Sequence, residues 1–245
     1  WLQPHDPFRN LALDHLPTVT GYSREMIQES LDITFREFSK DRLSRIAEPI
    51  SGQKSKNILI THILAGNVFV SGLFGIVYGL LTRVPQVVKT SSHEPLFPLL
   101  FQKSLIKVNP KIAGLLGVYN WKGSNEEIEK IVFQSSSLVI AYGDDETIET
   151  ITTRVKSPTR LLGYGHKFSF EINSKEYLQR NKLQEIAQNI AYDISMYDQQ
   201  GCLSPHFIYV ESEGEVSPKD FSIMLAQEMK NMNIKLPRGK ISLQE

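Results

Sequence analysis

The chain has 245 residues, 41% of them apolar and 22% charged, with 27 basic side chains against 27 acidic. That balance describes a soluble globular protein long enough to bury a core, and it argues against a nucleic-acid binder, which concentrates basic charge on one face. One cysteine excludes a disulfide scaffold and points to a reducing, cytoplasmic setting. A start at Trp1, with neither a methionine nor a charged-then-apolar leader, leads us to expect a fragment without a secretion signal.

In chain order, WLQPHDPFRNLALDHLPTVT carries three prolines and is expected to be an irregular lead-in. Met26, Ile27, Leu31, Phe35 and Phe38 then recur at three- and four-residue steps. They predict one amphipathic helix, capped by Ser23 with Glu25 in its first turn, that fades near Glu48 and Pro49. SGQKSKN reads as a polar loop. From Asn57 to Thr82 there is no charged residue, and ILITHILAGNVFVSGLFGIVYGLL is long enough to cross a bilayer. His62, Asn67, Ser71 and four glycines inside the run make a lone span expensive, so no membrane span is expected. The run divides better into a buried strand (ILITHIL), a turn (AGNV) and a buried helix (FVSGLFGIVYGLL). With the strand VPQVVKT this makes a βαβ unit.

The alternation continues. SHEPLFPLLFQKSLIKV is a helix with Glu94 and Pro95 in its first turn, IAGLLGVYNW a strand and turn, and NEEIEKIVFQ a short helix. SLVIAYG is a strand ending on Gly143, and DDETIETITTRV a helix opening on two aspartates. RLLGYGHKFSFEI reads as one strand-like stretch, and KLQEIAQNIAYDISMYD as a strongly periodic helix. CLSPHFIYVE leads into a strand, and DFSIMLAQEMKNM is a last helix. Repeated β–α alternation predicts an α/β fold with a doubly wound, mostly parallel sheet.

Cys202 lies in DQQGCLSPH, after a helix and before a strand. A lone cysteine is usually a small buried hydrophobe. Here Gly201 removes bulk beside the sulfur and Pro205 stiffens the turn, which suits a nucleophile presented from a loop.

Together QGCLSP, GYGHKFSF, AYGDDETI and GYSREMIQESLD resemble the long-chain fatty acyl-CoA reductases of bacterial luminescence, a branch of the aldehyde dehydrogenase superfamily. The likeness runs from about Gly21 to Val210. It implies a dinucleotide-binding domain over residues 1–160, after a helical lead-in, and over 161–245 the start of a second α/β catalytic domain. It further implies an NADPH-dependent reduction of acyl-CoA, or another acyl thioester, to an aldehyde. An acyl-transferring partner enzyme and a homo-oligomeric full-length protein are also implied. The alternatives are a short-chain acylating aldehyde dehydrogenase, an acyl-phosphate reductase, or a non-catalytic fragment of such a fold.

Carried over position by position, Cys202 matches the superfamily nucleophile, and Asn67 the amide that stabilises the reacting oxygen, an effect worth roughly 3 kcal/mol. By itself Asn67 reads as a turn residue. Lys89 matches the lysine at the adenosine ribose. Ser92 stands where many NAD-using relatives carry a glutamate, which favours a 2′-phosphate and hence NADPH. Gly143 matches the glycine where the pyrophosphate approaches. Asp144 and Ile148 depart from that pattern, and Asp144 reads better as a helix cap. Gly163 stands where hydrolytic relatives carry a water-activating glutamate, which suits an acyl-enzyme shielded from hydrolysis. His166 and Lys167 are candidates for coenzyme A phosphates or for tuning Cys202, His166 being the more plausibly structural. His206 is expected to pack or cap. No cluster has metal-ligand spacing, and no metal is expected.

Overall fold

The structure, a computed structural model, describes residues 1–50, 58–123 and 125–240. The polar loop expected at SGQKSKN lies outside the described residues. By internal contacts the chain divides into two compact units, Trp1–Thr20 with Gln28–His166, and Gly21–Ile27 with Lys167–Glu245.

The lead-in is helical, contrary to the expectation from its prolines. Helix α1 (Pro7–Thr20) starts on Pro7, where the missing N–H has no helical partner to lose. The Asp6 carboxylate accepts from the N–H groups of Phe8 and Arg9, and Ala12, Leu13 and Leu16 are buried. Pro17 sits inside the helix. Helix α2 (Arg24–Glu37) follows, with Ser23 Oγ accepting from Met26 N–H at 3.1 Å. The single helix expected to reach Glu48 is in fact two. Helix α2 ends at Glu37, and α3 (Lys40–Ala47), with no buried residue, begins after Ser39. The apolar period extends only to Phe38; beyond it no α3 side chain is buried, and Arg42 pairs with Glu37 of α2.

Strand β1 (Ile60–Ile63), helix α4 (Leu73–Leu81) and strand β2 (Gln86–Lys89) form the expected βαβ unit, and β1 and β2 are parallel. Then come α5 (Leu96–Val108), the single turn α6 (Pro110–Ala113), β3 (Leu116–Tyr119), α7 (Glu126–Ser135), β4 (Leu138–Tyr142), α8 (Asp145–Arg154) and β5 (Arg160–Tyr164). Glu94 and Pro95 precede α5 rather than filling its first turn. Every pairing in this five-stranded sheet is parallel, in the order β3-β2-β1-β4-β5.

The three central strands β2, β1 and β4 are largely buried, as parallel strands between helices are, whereas the edge strands leave Tyr119 of β3 and Leu162 and Tyr164 of β5 exposed. On one face Ile63, Val139 and Ala141 pack with Phe133 of α7, Ile151 of α8 and Trp121. On the other, α4 lies so close that a Cβ on Gly79 would meet the Gln86 amide at 2.5 Å. Beneath α4, His62 Nε2 is 2.7 Å from Gln86 Oε1, and Gln86 Nε2 donates to the Ile76 carbonyl at 3.0 Å. With Gln86 so oriented, His62 donates from Nε2, and its Nδ1 has no partner among the described residues. Burial holds the imidazole at about 4, the Gln86 bond opposing the shift, so it stays neutral. No described helix is long and apolar enough to cross a membrane.

The second unit holds β6 (Ser169–Asn173), α9 (Leu183–Ser195), β7 (Pro205–Val210) and α10 (Pro218–Lys235). The stretch RLLGYGHKFSFEI is therefore two strands in two sheets. Gly165, His166, Lys167 and Phe168 separate them, and β6 pairs in parallel with β7. Ile186, Ala187, Ile190 and Ile194 of α9 and Phe221 of α10 form a core, against which Ile208 and Val210 of β7 pack. The other face of β6 and β7 carries Phe170, Ile172, Phe207 and Tyr209, all exposed, with Ile172 at 69%.

Candidate active site

In a parallel sheet the carboxyl ends of all strands lie along one edge. Ligands of such folds bind there, where neighbouring strands send their crossovers in opposite directions. In the first unit that point falls between β1 and β4. Asn67 follows β1, Lys89 ends β2, Ser92 follows it, and Gly143 follows β4. Four of the five residues expected at the site thus share one edge of one sheet. Asn67 and Ser92 are exposed.

Lys89, a strand-end lysine of the kind usually solvated, is buried instead. Its ammonium lies 5.9 Å from the Trp121 ring centroid and makes one long contact, 3.4 Å, to the Thr90 carbonyl. Burial pushes it below the ordinary lysine value, with the Glu129 carboxylate opposing. Glu129 is itself paired with Arg154. Trp121 is buried, and its indole N–H has no partner among the described residues. An under-satisfied ammonium and an orphaned N–H near the ends of β2 and β3 suit the hydroxyl or phosphate oxygens of a nucleotide ribose. Trp121 is not marked by the sequence pattern, and the available signal was a tryptophan two residues beyond a short strand.

The β4 end fits a nucleotide less well. Asp144 Oδ1 accepts from Thr147 N–H at 2.7 Å, capping α8, and the Thr147 bonds hold its carboxyl below the ordinary aspartate value. The anion site at this helix N-terminus is filled by the chain's own carboxylate, as its sequence suggested. Gly143 lies against the Thr147 side chain, and its N–H donates to the Tyr164 carbonyl at 3.3 Å.

Gly163 is paired with Ala141, and a Cβ there would sit 2.8 Å from Ile148 Cγ2, so this place has no room for a carboxylate side chain without movement of α8. His166 donates its backbone N–H to Asp145 Oδ1 at 2.9 Å. Glu94 is buried where the chain enters α5. It accepts from Phe97 N–H at 2.6 Å, and burial raises it to about 7 despite that bond.

Cys202 belongs to the second unit and is exposed, not the buried hydrophobe that a lone cysteine usually is. The chain reaches it through Tyr197, Asp198 and Gln199, all with left-handed backbone. Conformations that non-glycine residues rarely adopt must be held by their surroundings. Tyr22 supplies part of that hold. Its hydroxyl donates to Gln200 Oε1 at 3.0 Å and its ring meets Tyr197 edge-on, while Tyr197 N–H points to Met26 Sδ at 3.3 Å. GYSREM was legible as part of a family pattern, but its grip on the loop before the cysteine was not. Beyond Cys202, Ser204 N–H donates to the Gly201 carbonyl, and Ser169 Oγ donates to the Cys202 carbonyl at 2.6 Å. His206 stacks on Phe168, a packing role. Among the described residues no cluster of three or more His, Cys, Asp or Glu is placed to hold a metal.

Residues 24–245 match the family model described as acyl-CoA reductase (LuxC). The chain belongs to that family. The LuxC-family chain is 32% identical over 187 residues to long-chain acyl-protein thioester reductase 2 of Photobacterium leiognathi, covering 75% of this chain and 38% of that protein. It is 28% identical over 195 residues to the long-chain acyl-protein thioester reductase of Photorhabdus laumondii, covering 78% and 38%. The matched stretch therefore covers well under half the length of these relatives. Among solved structures it resembles succinic semialdehyde dehydrogenase of Streptococcus pyogenes in complex with NADP+, with TM-score 0.67 and 13% identity over 91% of this chain and 52% of that one. An NAD-dependent aldehyde dehydrogenase of Sinorhizobium meliloti gives TM-score 0.67 and 14% identity over 96% and 49%. The fold is that of the aldehyde dehydrogenases.

Proposed function

We propose that this LuxC-family chain carries the cofactor-binding unit and the nucleophile of an NADPH-dependent reductase of long-chain acyl thioesters. The observation that carries the reading is the exposed Cys202 on a loop held in left-handed backbone, within a family match over residues 24–245. The relatives' names put the acyl group in a thioester, so coenzyme A or a protein thiol is the donor we propose.

The Cys202 thiolate attacks the acyl carbonyl, the donor thiol leaves, and the acyl group rests on the sulfur as a thioester. Asn67 is the residue we assign to the carbonyl oxygen, as a hydrogen-bond donor while negative charge develops there. Lys89, Trp121 and Ser92 would hold the adenosine ribose and its 2′-phosphate, the exposed Ser92 hydroxyl offering a donor without a competing charge. Bound NADPH supplies the hydride that takes a thioester to an aldehyde. Gly163 leaves no carboxylate to activate water, so the thioester is reduced or returned to a thiol rather than hydrolysed.

The test is acylation of the chain by radiolabelled long-chain acyl-CoA without nicotinamide. Label should map to the Cys202 peptide, leave with added thiol, and be absent from Cys202→Ser. Label that survives the substitution would remove Cys202 from the chemistry.

A further inference from the structure

Strands β1 and β2 are neighbours with Ile63 opposite Lys89, and Leu64 N–H donates to the Lys89 carbonyl at 3.0 Å. Their loops therefore leave the carboxyl edge side by side. The loop after β1 approaches the turn after β2 at Gly66, where a Cβ would lie 2.6 Å from Ser91 Oγ and 2.9 Å from His93 Cβ. Space, not backbone conformation, demands glycine here, since Gly21 is the described glycine with positive φ.

The turn cannot easily yield. Ser91 is buried, and its Oγ accepts from His93 N–H at 3.2 Å. From the loop after β3, Asn120 Nδ2 donates to Thr90 Oγ1 at 2.8 Å and to the Ser91 carbonyl at 3.4 Å. Asn67 is the next residue after Gly66, and Ser92 lies between Ser91 and His93. The residue assigned to the reacting carbonyl and the hydroxyl assigned to the cofactor thus each stand one position from the same tight contact.

We infer that Gly66 is a positioning residue that seats the Asn67 loop on the Ser92 turn, so that a nucleotide 2′-phosphate held at that turn is felt at Asn67. The inference rests on the cofactor assignment above and goes beyond it by joining two loops that the reaction uses separately. Physically, a ligand that orders the turn orders whatever is packed against it, and a side chain at position 66 would break that packing.

Amide hydrogen exchange of the chain with adenosine 2′,5′-bisphosphate tests this. Protection is expected over residues 90–95 and also over 64–72. Gly66→Ala should keep protection at 90–95, weaken the bisphosphate roughly tenfold through overpacking, and lose protection at 64–72. Adding Ser91→Ala removes the nearer obstacle and should restore most of that protection. Protection at 90–95 with none at 64–72 in the unsubstituted chain overturns the inference, whether or not Gly66→Ala folds. So does unchanged coupling in a folded Gly66→Ala. Failure of the bisphosphate to protect either segment overturns the cofactor assignment as well, and so separates the two failures.

Discussion

The two units treat their sheets differently. In the first, the three central parallel strands are largely buried, side chains such as Tyr119 and Leu162 are exposed at the edge strands β3 and β5, and even the polar pair His62 and Gln86 is sealed beneath α4. In the second, two parallel strands are covered on one face by α9 and α10, while the other shows Phe170 at 56% and Ile172 at 69% exposure. A parallel sheet is normally buried on both sides, and large apolar side chains rarely stand in a row in water. The first unit thus covers the strands at the middle of its sheet, whereas the second, which carries Cys202, covers one face of its own.

The sharpest way to break this comparison is a matched pair of substitutions in the second unit. Ile190→Ala, in the covered core, should lower unfolding free energy by about 2–5 kcal/mol in urea denaturation. Ile172→Ser, on the open face, should change it by about 0.5 kcal/mol or less while reducing binding of a hydrophobic dye. Equal losses at both sites would mean that the open face is packed in solution.

The first unit is tested by pH, because sealing titratable groups has consequences of opposite sign. His62 is held at about 4 against an ordinary 6.5, so its contribution is present above pH 6.5 and lost as pH falls toward 4, by about 3 kcal/mol in all. Glu94 is raised from 4.5 to about 7, so its contribution is present below pH 4.5 and lost as pH rises through 7, by a similar amount of about 3 kcal/mol. The two nearly cancel between pH 4.5 and 6.5. Glu94→Gln, which keeps an acceptor for Phe97 N–H, should expose the His62 slope, with urea midpoints rising steadily across that range. A flat profile in Glu94→Gln would show that His62 is not sealed.

A smaller effect is expected at the edge where the first unit meets solvent. Asp144→Ala removes the α8 cap and should cost about 1 kcal/mol in thermal unfolding. Asp144→Ser keeps a cap and removes the charge. It should therefore leave stability nearly unchanged and strengthen NADPH binding in calorimetry by roughly 0.3–1 kcal/mol. No gain in affinity would remove the β4 end from the cofactor path.

Much of this was legible in one dimension. Short apolar runs such as ILITHIL and SLVIAYG marked the central strands, and three- and four-residue apolar spacing marked helices such as α9, because burial on both faces leaves a run and burial on one face leaves a period. Two errors share one cause. Local propensity alone misjudges the prolines of α1 and Gly165 between β5 and β6. Pro7 is harmless at a helix start, and the Gly165–Phe168 stretch separates two sheets that a linear reading joins. Cys202 stands out as the candidate nucleophile because its neighbours follow a family pattern. Trp121, the Gly66 contact and the grip of Tyr22 on the Tyr197 turn were not found, since each depends on residues distant in the chain.

The sequence by itself determined the α/β alternation and the family, and it supplied the candidate site residues, because apolar period and short motifs are local properties. The tertiary structure decided what those residues meet. It buried Lys89 beside an orphaned indole, turned Asp144 onto its own helix, and set a bare Gly66 against Ser91. Those outcomes follow from strand order and close packing, which place distant segments within ångströms of each other and leave no mark in the order of the residues.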